Sequence, residues 1–191
     1  MHRTICDFVL DLLQNSIEAD STLIILDIEE TESKITFYLS DNGKGMDSEE
    51  LAAAGDPFYT GGAKHGSRKV GLGIPFLVQA AEAAEGEFDI SSEKGSGTSV
   101  KFSFELEHID TPPVGSLPET YFAALAYPGD FEMVINRQYY GGSRGSFSYT
   151  LERSVLRDAV GGFEEAGSLK LLRTFLRSQE ETAAVRTAGP E

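Results

Sequence analysis

The sequence holds 191 residues, enough for one generous domain or a domain with an appendage, and it can bury on the order of 70% of its unfolded surface without a disulfide or structural metal. Cys6 is the sole cysteine, and His2, His65 and His108 are scattered without ligand spacing, which argues against zinc sites and disulfide frameworks and suits a reducing, cytoplasmic setting. Acidic residues outnumber basic ones 31 to 16, and the formal charge of −15 repels nucleic acid and anionic membrane surfaces; there is no secretory signal and no apolar run near ~18 residues.

Residues 4–19 read as a helix, with Ile5, Phe8, Val9, Leu12 and Leu13 in one stripe at helical spacing. Asp11 and Asn15 share a flank of that helix. They stand either where its buried face meets a cleft or as an exposed acid and amide on a surface helix. Residues 23–29 are strand-like and nearly continuously apolar, which predicts an inner strand, with Leu23, Ile25 and Asp27 on one face and Ile24, Leu26 and Ile28 on the other. A hairpin through Glu30-Thr31-Glu32-Ser33 leads into a second strand, in which Ile35, Phe37 and Leu39 alternate with Thr36, Tyr38 and Ser40 up to Asp41.

Asp41-Asn42-Gly43-Lys44-Gly45-Met46 has two readings. Asp-Asn-Gly is an ordinary hairpin-turn sequence. A carboxylate at a strand end can also accept a hydrogen bond from an exocyclic amine such as that of adenine, and the two glycines let the backbone approach a flat ring. Residues 47–69 form a long irregular connection with a short helical piece at 48–54, then Asp56-Pro57-Phe58-Tyr59-Thr60, then a Gly-rich basic run holding Lys64, His65, Arg68 and Lys69. Loops of that length are usually functional, so the segment is a candidate lid, its basic run either a solvated loop or an anion contact.

Val70-Gly71-Leu72-Gly73-Ile74-Pro75 opens a helix carrying Leu77, Val78, Ala80, Ala81 and Ala84, with Pro75 in the first turn and Gly86 as the C-terminal cap. Glycines at a helix start either pack tightly or expose unpaired N–H groups to a phosphate, the dipole adding about 0.3–1 kcal/mol for negative charge. Neither a P-loop nor a dinucleotide fingerprint is present. Residues 88–92 and 98–106 make a second hairpin through Glu93-Lys94-Gly95-Ser96-Gly97, with Val100, Phe102 and Phe104 on one face. The expected organisation is a domain over 1–110, a Pro-rich joint at 111–118, and a hairpin with helices over 119–182. Within that last unit the pattern predicts helices at 119–127, 152–160 and 168–182 and strands around Phe131, Met133, Ile135 and around Phe147, Tyr149, Leu151. A flexible tail follows at 183–191.

Asp11-Leu12-Leu13-Gln14-Asn15-Ser16, Asp41-Asn42-Gly43-Lys44-Gly45-Met46, Gly71-Leu72-Gly73 and Gly95-Ser96-Gly97-Thr98 together resemble the four ordered boxes of the GHKL ATPases. That superfamily includes DNA gyrase, the ninety-kilodalton chaperone, histidine kinases and MutL. Asp56-Pro57-Phe58-Tyr59-Thr60 is similar to the phenylalanine box of histidine kinases, so the likeness, over about residues 4–106, points to the kinase-like branch. It implies an α+β fold, a two-layer α/β sandwich whose mixed sheet carries helices on one face, plus a small α/β C-terminal extension. Mg-ATP is the implied ligand. Asn15 matches the Mg²⁺-coordinating asparagine, Asp41 the adenine-reading aspartate, Gly43 and Gly45 the glycines beneath the base, and Thr98 the threonine that supports adenine recognition. Gly71 and Gly73 match the phosphate-side glycines, and Met46, Thr60 and Leu72 are implied nucleotide contacts as members of the matching boxes. Lys64 and Arg68 fit the lid cations by type and location.

Hydrolysis is where the sequence departs from the pattern. The gyrase and MutL branch places a water-orienting glutamate four residues before the asparagine; here that place is Asp11, one methylene shorter, as the candidate catalytic base. Only a few residues precede the first helix, so the expectation is a stand-alone domain without a phosphoacceptor hairpin. The implied role is slow ATP hydrolysis serving as a nucleotide-dependent switch for a partner protein. A serine/threonine kinase resembling the anti-sigma kinases, and a non-hydrolysing ATP/ADP sensor, are the alternatives. The extension is the expected surface for a protein partner or a homodimer, unless it merely packs on the sheet; neither nucleic acid nor a membrane is an expected partner.

Overall fold

The computed structural model describes residues 3–55, 73–141 and 145–187. Helix α1 (Ile5–Glu18) opens with a capping box, in which Thr4 Oγ1 accepts from the Asp7 N–H at 3.2 Å and the Asp7 carboxylate accepts from the Thr4 N–H at 2.9 Å. Such a cap contributes about 1 kcal/mol and sets the helix start. The predicted apolar stripe is buried, and Ser16 extends it by one further position. Strands β1 (Leu23–Thr31) and β2 (Lys34–Asp41) pair antiparallel, from Glu30 opposite Ile35 to Ile24 opposite Asp41. Their connection is tighter than the expected four-residue loop, because Thr31 remains in β1 and its Oγ1 accepts from the Lys34 N–H at 3.0 Å.

Next come α2 (Ser48–Gly55), α3 (Gly73–Ala83), β3 (Phe88–Glu93) and β4 (Gly97–Glu105). Gly86 follows α3, but the left-handed residue there is Glu85 (φ 53°), not the glycine. Gly86 N donates to Ala81 O at 2.8 Å, closing a Schellman-type end. Glycine is required at 86 for another reason: a Cβ would lie 1.9 Å from Ser103 O of β4.

The extension contributes α4 (Leu117–Leu125), β5 (Glu132–Tyr140), β6 (Ser146–Glu152), α5 (Arg153–Val160) and α6 (Ala166–Thr187). Strand β6 takes up Glu152, so α5 begins one residue later than expected, and α6 runs on past residue 182. All strands join one sheet in the order β3-β4-β2-β1-β5-β6, antiparallel except for the parallel pair β1–β5. That parallel pairing is what makes β1 an inner strand. The Pro-rich stretch is tied down as well: Pro113 O and Val114 O each accept a hydrogen bond, at 2.9 Å, from the Ile5 and Cys6 N–H groups that α1 cannot satisfy internally.

Alternation along every inner strand turns one face toward the helices. Ile24, Leu26, Ile28, Ile35, Phe37, Val100, Phe102, Phe104, Met133 and Ile135 are buried there, Phe37 and Phe102 stacking at 4.9 Å. The opposite face is polar, with Asn136 donating to Asp27 at 2.7 Å and Thr150 donating to Asn136 at 2.8 Å. The result is an α+β sandwich of a mixed sheet and helices. Among the described residues no helix is long and apolar enough to cross a membrane.

Candidate functional site

Between α1 and the ends of β2, β3 and β4 lies a cavity of about 310 Å³. Leu12, Leu39, Ile74, Ile90 and Val100 give it apolar walls, and Asn15, Ser16, Glu18, Asp41, Lys44 and Thr98 supply its polar groups. A narrow apolar slot with a few convergent polar atoms suits a flat heteroaromatic ring.

Asp41 ends β2 directly opposite Thr98 of β4. Its Oδ2 accepts from Ser16 Oγ at 2.7 Å, and its Oδ1 accepts from Ser21 Oγ at 3.1 Å and from the Gly43 N–H at 2.9 Å. An ionised carboxylate has about four acceptor positions and donates nothing, so these three bonds orient it and leave acceptor capacity for an occupant of the cavity. All three donors are neutral. The segment after Asp41 leads into α2 and does not join two strands, which removes the hairpin-turn reading. Instead Asn42 ties it to the start of β1, its Oδ1 accepting from the Thr22 and Leu23 N–H groups, both at 2.9 Å.

The two glycines of this segment do different jobs. Gly43 does not line the cavity; it packs behind Asp41, where a Cβ would meet Ser21 Oγ at 2.5 Å and Ala19 O at 2.8 Å. Gly45 does line it, has a φ of 59°, and abuts β3 so closely that a Cβ would lie 2.0 Å from Glu93 O. Between them Lys44 donates its N–H to Ala19 O at 3.0 Å and its carbonyl accepts from Gly95 N at 2.8 Å, stitching the segment between the end of α1 and the β3–β4 turn. Ser92 braces two of the lining residues from behind: its Oγ accepts from the Met46 N–H, donates to Gly97 O and lies beside Thr98 Oγ1, each at 2.9 Å. Lys94 of the same turn reaches Asp47 at 2.9 Å and Glu50 at 3.8 Å, fastening the start of α2. The Glu50 N–H and then Lys94 hold the Asp47 carboxyl below its ordinary range, and the bond to Asp47 holds Lys94 above its own.

Asn15 is exposed at the cavity rim. Asp11, one turn earlier and half-buried, does not line the cavity but faces the opening of α3, since a Cβ on Gly73 would sit 3.2 Å from Asp11 Oδ2. The absence of a side chain at Gly73 therefore lets the first turn of α3 approach that carboxylate. Among the described residues no group of three or more His, Cys, Asp or Glu side chains could hold a metal. A single amide oxygen such as that of Asn15 is compatible with Mg²⁺, which keeps several waters and takes few protein ligands.

The structure thus gathers Asn15, Asp41, Gly45, Met46 and Thr98 around one cavity, with Asp11, Gly43 and Gly73 beside it. Thr60, Lys64, Arg68, Gly71 and Leu72, together with the Asp56-Pro57-Phe58-Tyr59-Thr60 box and most of the candidate lid, lie outside the described residues. Ser16, Ser21 and Ser92 were missed by sequence reasoning. Only the place of Ser16 beside Asn15, on the buried flank of α1, hinted at one of them.

Residues 2–108 match HATPase_c, the histidine kinase-, DNA gyrase B-, and HSP90-like ATPase family. This chain belongs to that family. The chain is 31% identical over 105 residues to a Shewanella frigidimarina protein named as a sensor, covering 53% of this chain and 16% of that protein. It is also 31% identical over 91 residues to sporulation kinase C of Bacillus subtilis, covering 47% of this chain and 20% of the kinase. The chain therefore spans about a fifth or less of these curated relatives. Among solved structures it is similar to the Aquifex aeolicus MutL ATPase domain complexed with ADP, at 13% identity and a TM-score of 0.37, covering 72% of this chain and 61% of that one.

Proposed function

We propose that this HATPase_c domain binds Mg-ATP in the cavity beside Asp41, hydrolyses it slowly, and serves as a nucleotide-dependent switch for a partner protein. The observation that carries the reading is the Asp41 carboxylate, oriented by neutral donors and left with free acceptor capacity at the end of an apolar slot. In this reading Asp41 accepts the exocyclic amine of adenine, Leu39, Ile74 and Val100 contact the faces of the ring, and Ser92 keeps Thr98 and the Met46 backbone in place around it. The N-terminus of α3, with no side chain at Gly73, receives phosphate oxygens. Asn15 supplies the protein ligand of Mg²⁺, which when bound neutralises phosphate charge. Asp11, on the same flank one turn away, accepts the proton of the attacking water, directly or through a second water.

Phosphotransfer to a hydroxyl of the partner is the second reading; the kinases among the relatives support phosphotransfer as such, not the hydroxyl acceptor. Phosphate release by the wild type, Asp11→Asn and Asn15→Ala tests the proposal. Mg²⁺-dependent release that is lost in Asp11→Asn, with ATP still bound, supports hydrolysis. Tight ATP binding with no turnover in any form replaces it with a sensor, and label passing from γ-labelled ATP into a protein of a cell extract replaces it with a kinase. An Asn15→Ala protein with full Mg²⁺-dependent affinity for ATP removes Asn15 as the metal ligand.

A further inference from the structure

The two edges of the sheet differ in how they resist further pairing. Edge strand β3 carries Asp89 and Glu93, both exposed, and is followed by Lys94, a charged edge of the kind that discourages another strand. Edge strand β6 is charged only at its last residue, Glu152. From Ser146 to Leu151 it contains no charge and no proline, and its register with β5 runs unbroken from Tyr140 opposite Ser146 to Val134 opposite Glu152, without a bulge. Among the described residues no strand pairs with its outer side.

The helix layer repeats the pattern at the same edge. Helices α1, α4 and α6 contact one another in that series, α6 packs on β6, and the short α5 that follows β6 contacts both of them. Arg173 and Arg177 reach from one flank of α6 to Glu119 of α4, at 3.2 and 2.7 Å. The opposite flank faces away from α4. It bears Leu171 and Phe175, one turn apart and 62% and 41% exposed, with the neutral Thr174 and Ser178 beside them.

We infer that this edge is the contact surface for a second copy of the chain, with β6 pairing antiparallel to its counterpart and α6 packing on α6 across a two-fold axis. The choice of occupant rests on charge. A two-fold contact sets the same patch against itself, so any net charge in it meets its own sign. In a chain of net charge −15 most of the surface is excluded on that ground, whereas Ser146 to Leu151 of β6 and the Leu171, Thr174, Phe175 and Ser178 positions of α6 carry no charge. The backbone of an unpaired strand asks for another strand, and the apolar side chains of α6 ask for an apolar helix face. One copy of this edge offers both to the other, and the pairing would make one continuous sheet across the dimer.

Sedimentation velocity over a concentration series tests this with the wild type, the double variant Leu171→Glu/Phe175→Glu and the single variant Ser148→Lys, which alters an exposed β6 position on the open sheet face. The wild type should sediment as a dimer, with slow hydrogen exchange at the outward amides of β6. Each variant should weaken the dimer at least about tenfold, since like charges then face each other across the axis, while keeping the wild-type circular dichroism. A wild type that stays monomeric throughout overturns the inference. So does a dimer untouched by both variants, or one whose β6 amides exchange as fast as in the monomer. None of these readouts involves nucleotide, so the inference stands or falls separately from the proposed ATP site.

Discussion

Two groups of buried polar side chains flank β1, and they are finished in opposite ways. On the β2 side, Asp41 is held by two hydroxyls and a backbone N–H, all neutral, and opens on the cavity. On the β5 side, Arg137 is only 3% exposed and sits among carboxylates. It pairs with Glu30, lies 3.5 Å from Glu180 of α6, donates to Gln138 O at 3.1 Å and sits over the Phe147 ring at 5.4 Å. Glu180 in turn accepts from the Tyr149 hydroxyl. Burial pushes the Tyr121 and Tyr149 phenols up from their ordinary range, so both stay neutral beside it. A charge paired with carboxylates of its own chain is spent on structure, and this one joins α6 to β5 and β6. A charge oriented without a countercharge, next to open space, is available to a ligand.

The comparison can be broken most forcefully at Arg137. Arg137→Met leaves Glu30 and Glu180 without their cation and should lower stability in urea by about 3 kcal/mol, as expected when one partner of a buried pair is removed. ATP affinity of the folded protein should be unchanged; a loss of affinity would make the cluster part of the site. The next largest effect is expected from Asp41→Asn, which removes the charged acceptor. Calorimetric titration should show ATP binding weakened about 10- to 100-fold, the worth of a hydrogen bond to a charged group, with little change in the urea midpoint. Unchanged affinity would end the recognition role given to Asp41. Ser16→Ala should do least: one orienting bond is lost, and ATP affinity falls about fivefold, corresponding to about 1 kcal/mol. If the same variant instead loses several-fold more in stability than in affinity, Ser16 belongs with the structural group.

Much of the site was legible because its parts are local. The alternation from Ile35 to Leu39 announces a strand that ends at Asp41, and β2 ends there. The stripe from Ile5 to Leu13 orients α1 and puts Asn15 on its exposed flank. What was not legible is how these parts are held. Ser21 and Ser92 are single hydroxyls with no periodicity around them, and their partners lie 20 and 46 residues away in sequence. The glycines misled in the same way: Gly43 and Gly86 were assigned by local chemistry, yet each is a glycine because another segment passes against it.

From the residues alone followed the helix and strand periods, the two hairpins, the acidic surface and the family likeness, all of them properties of neighbours along the chain. Tertiary structure alone decided that β5 lies parallel to β1, that Arg137 rather than another apolar residue meets Glu30 beneath the sheet, and that Ser16 and Ser21 converge on Asp41. The physical reason is that periodicity sets which face of an element is buried, whereas strand order and register depend on packing between segments far apart in sequence, such as Asp27 and Asn136.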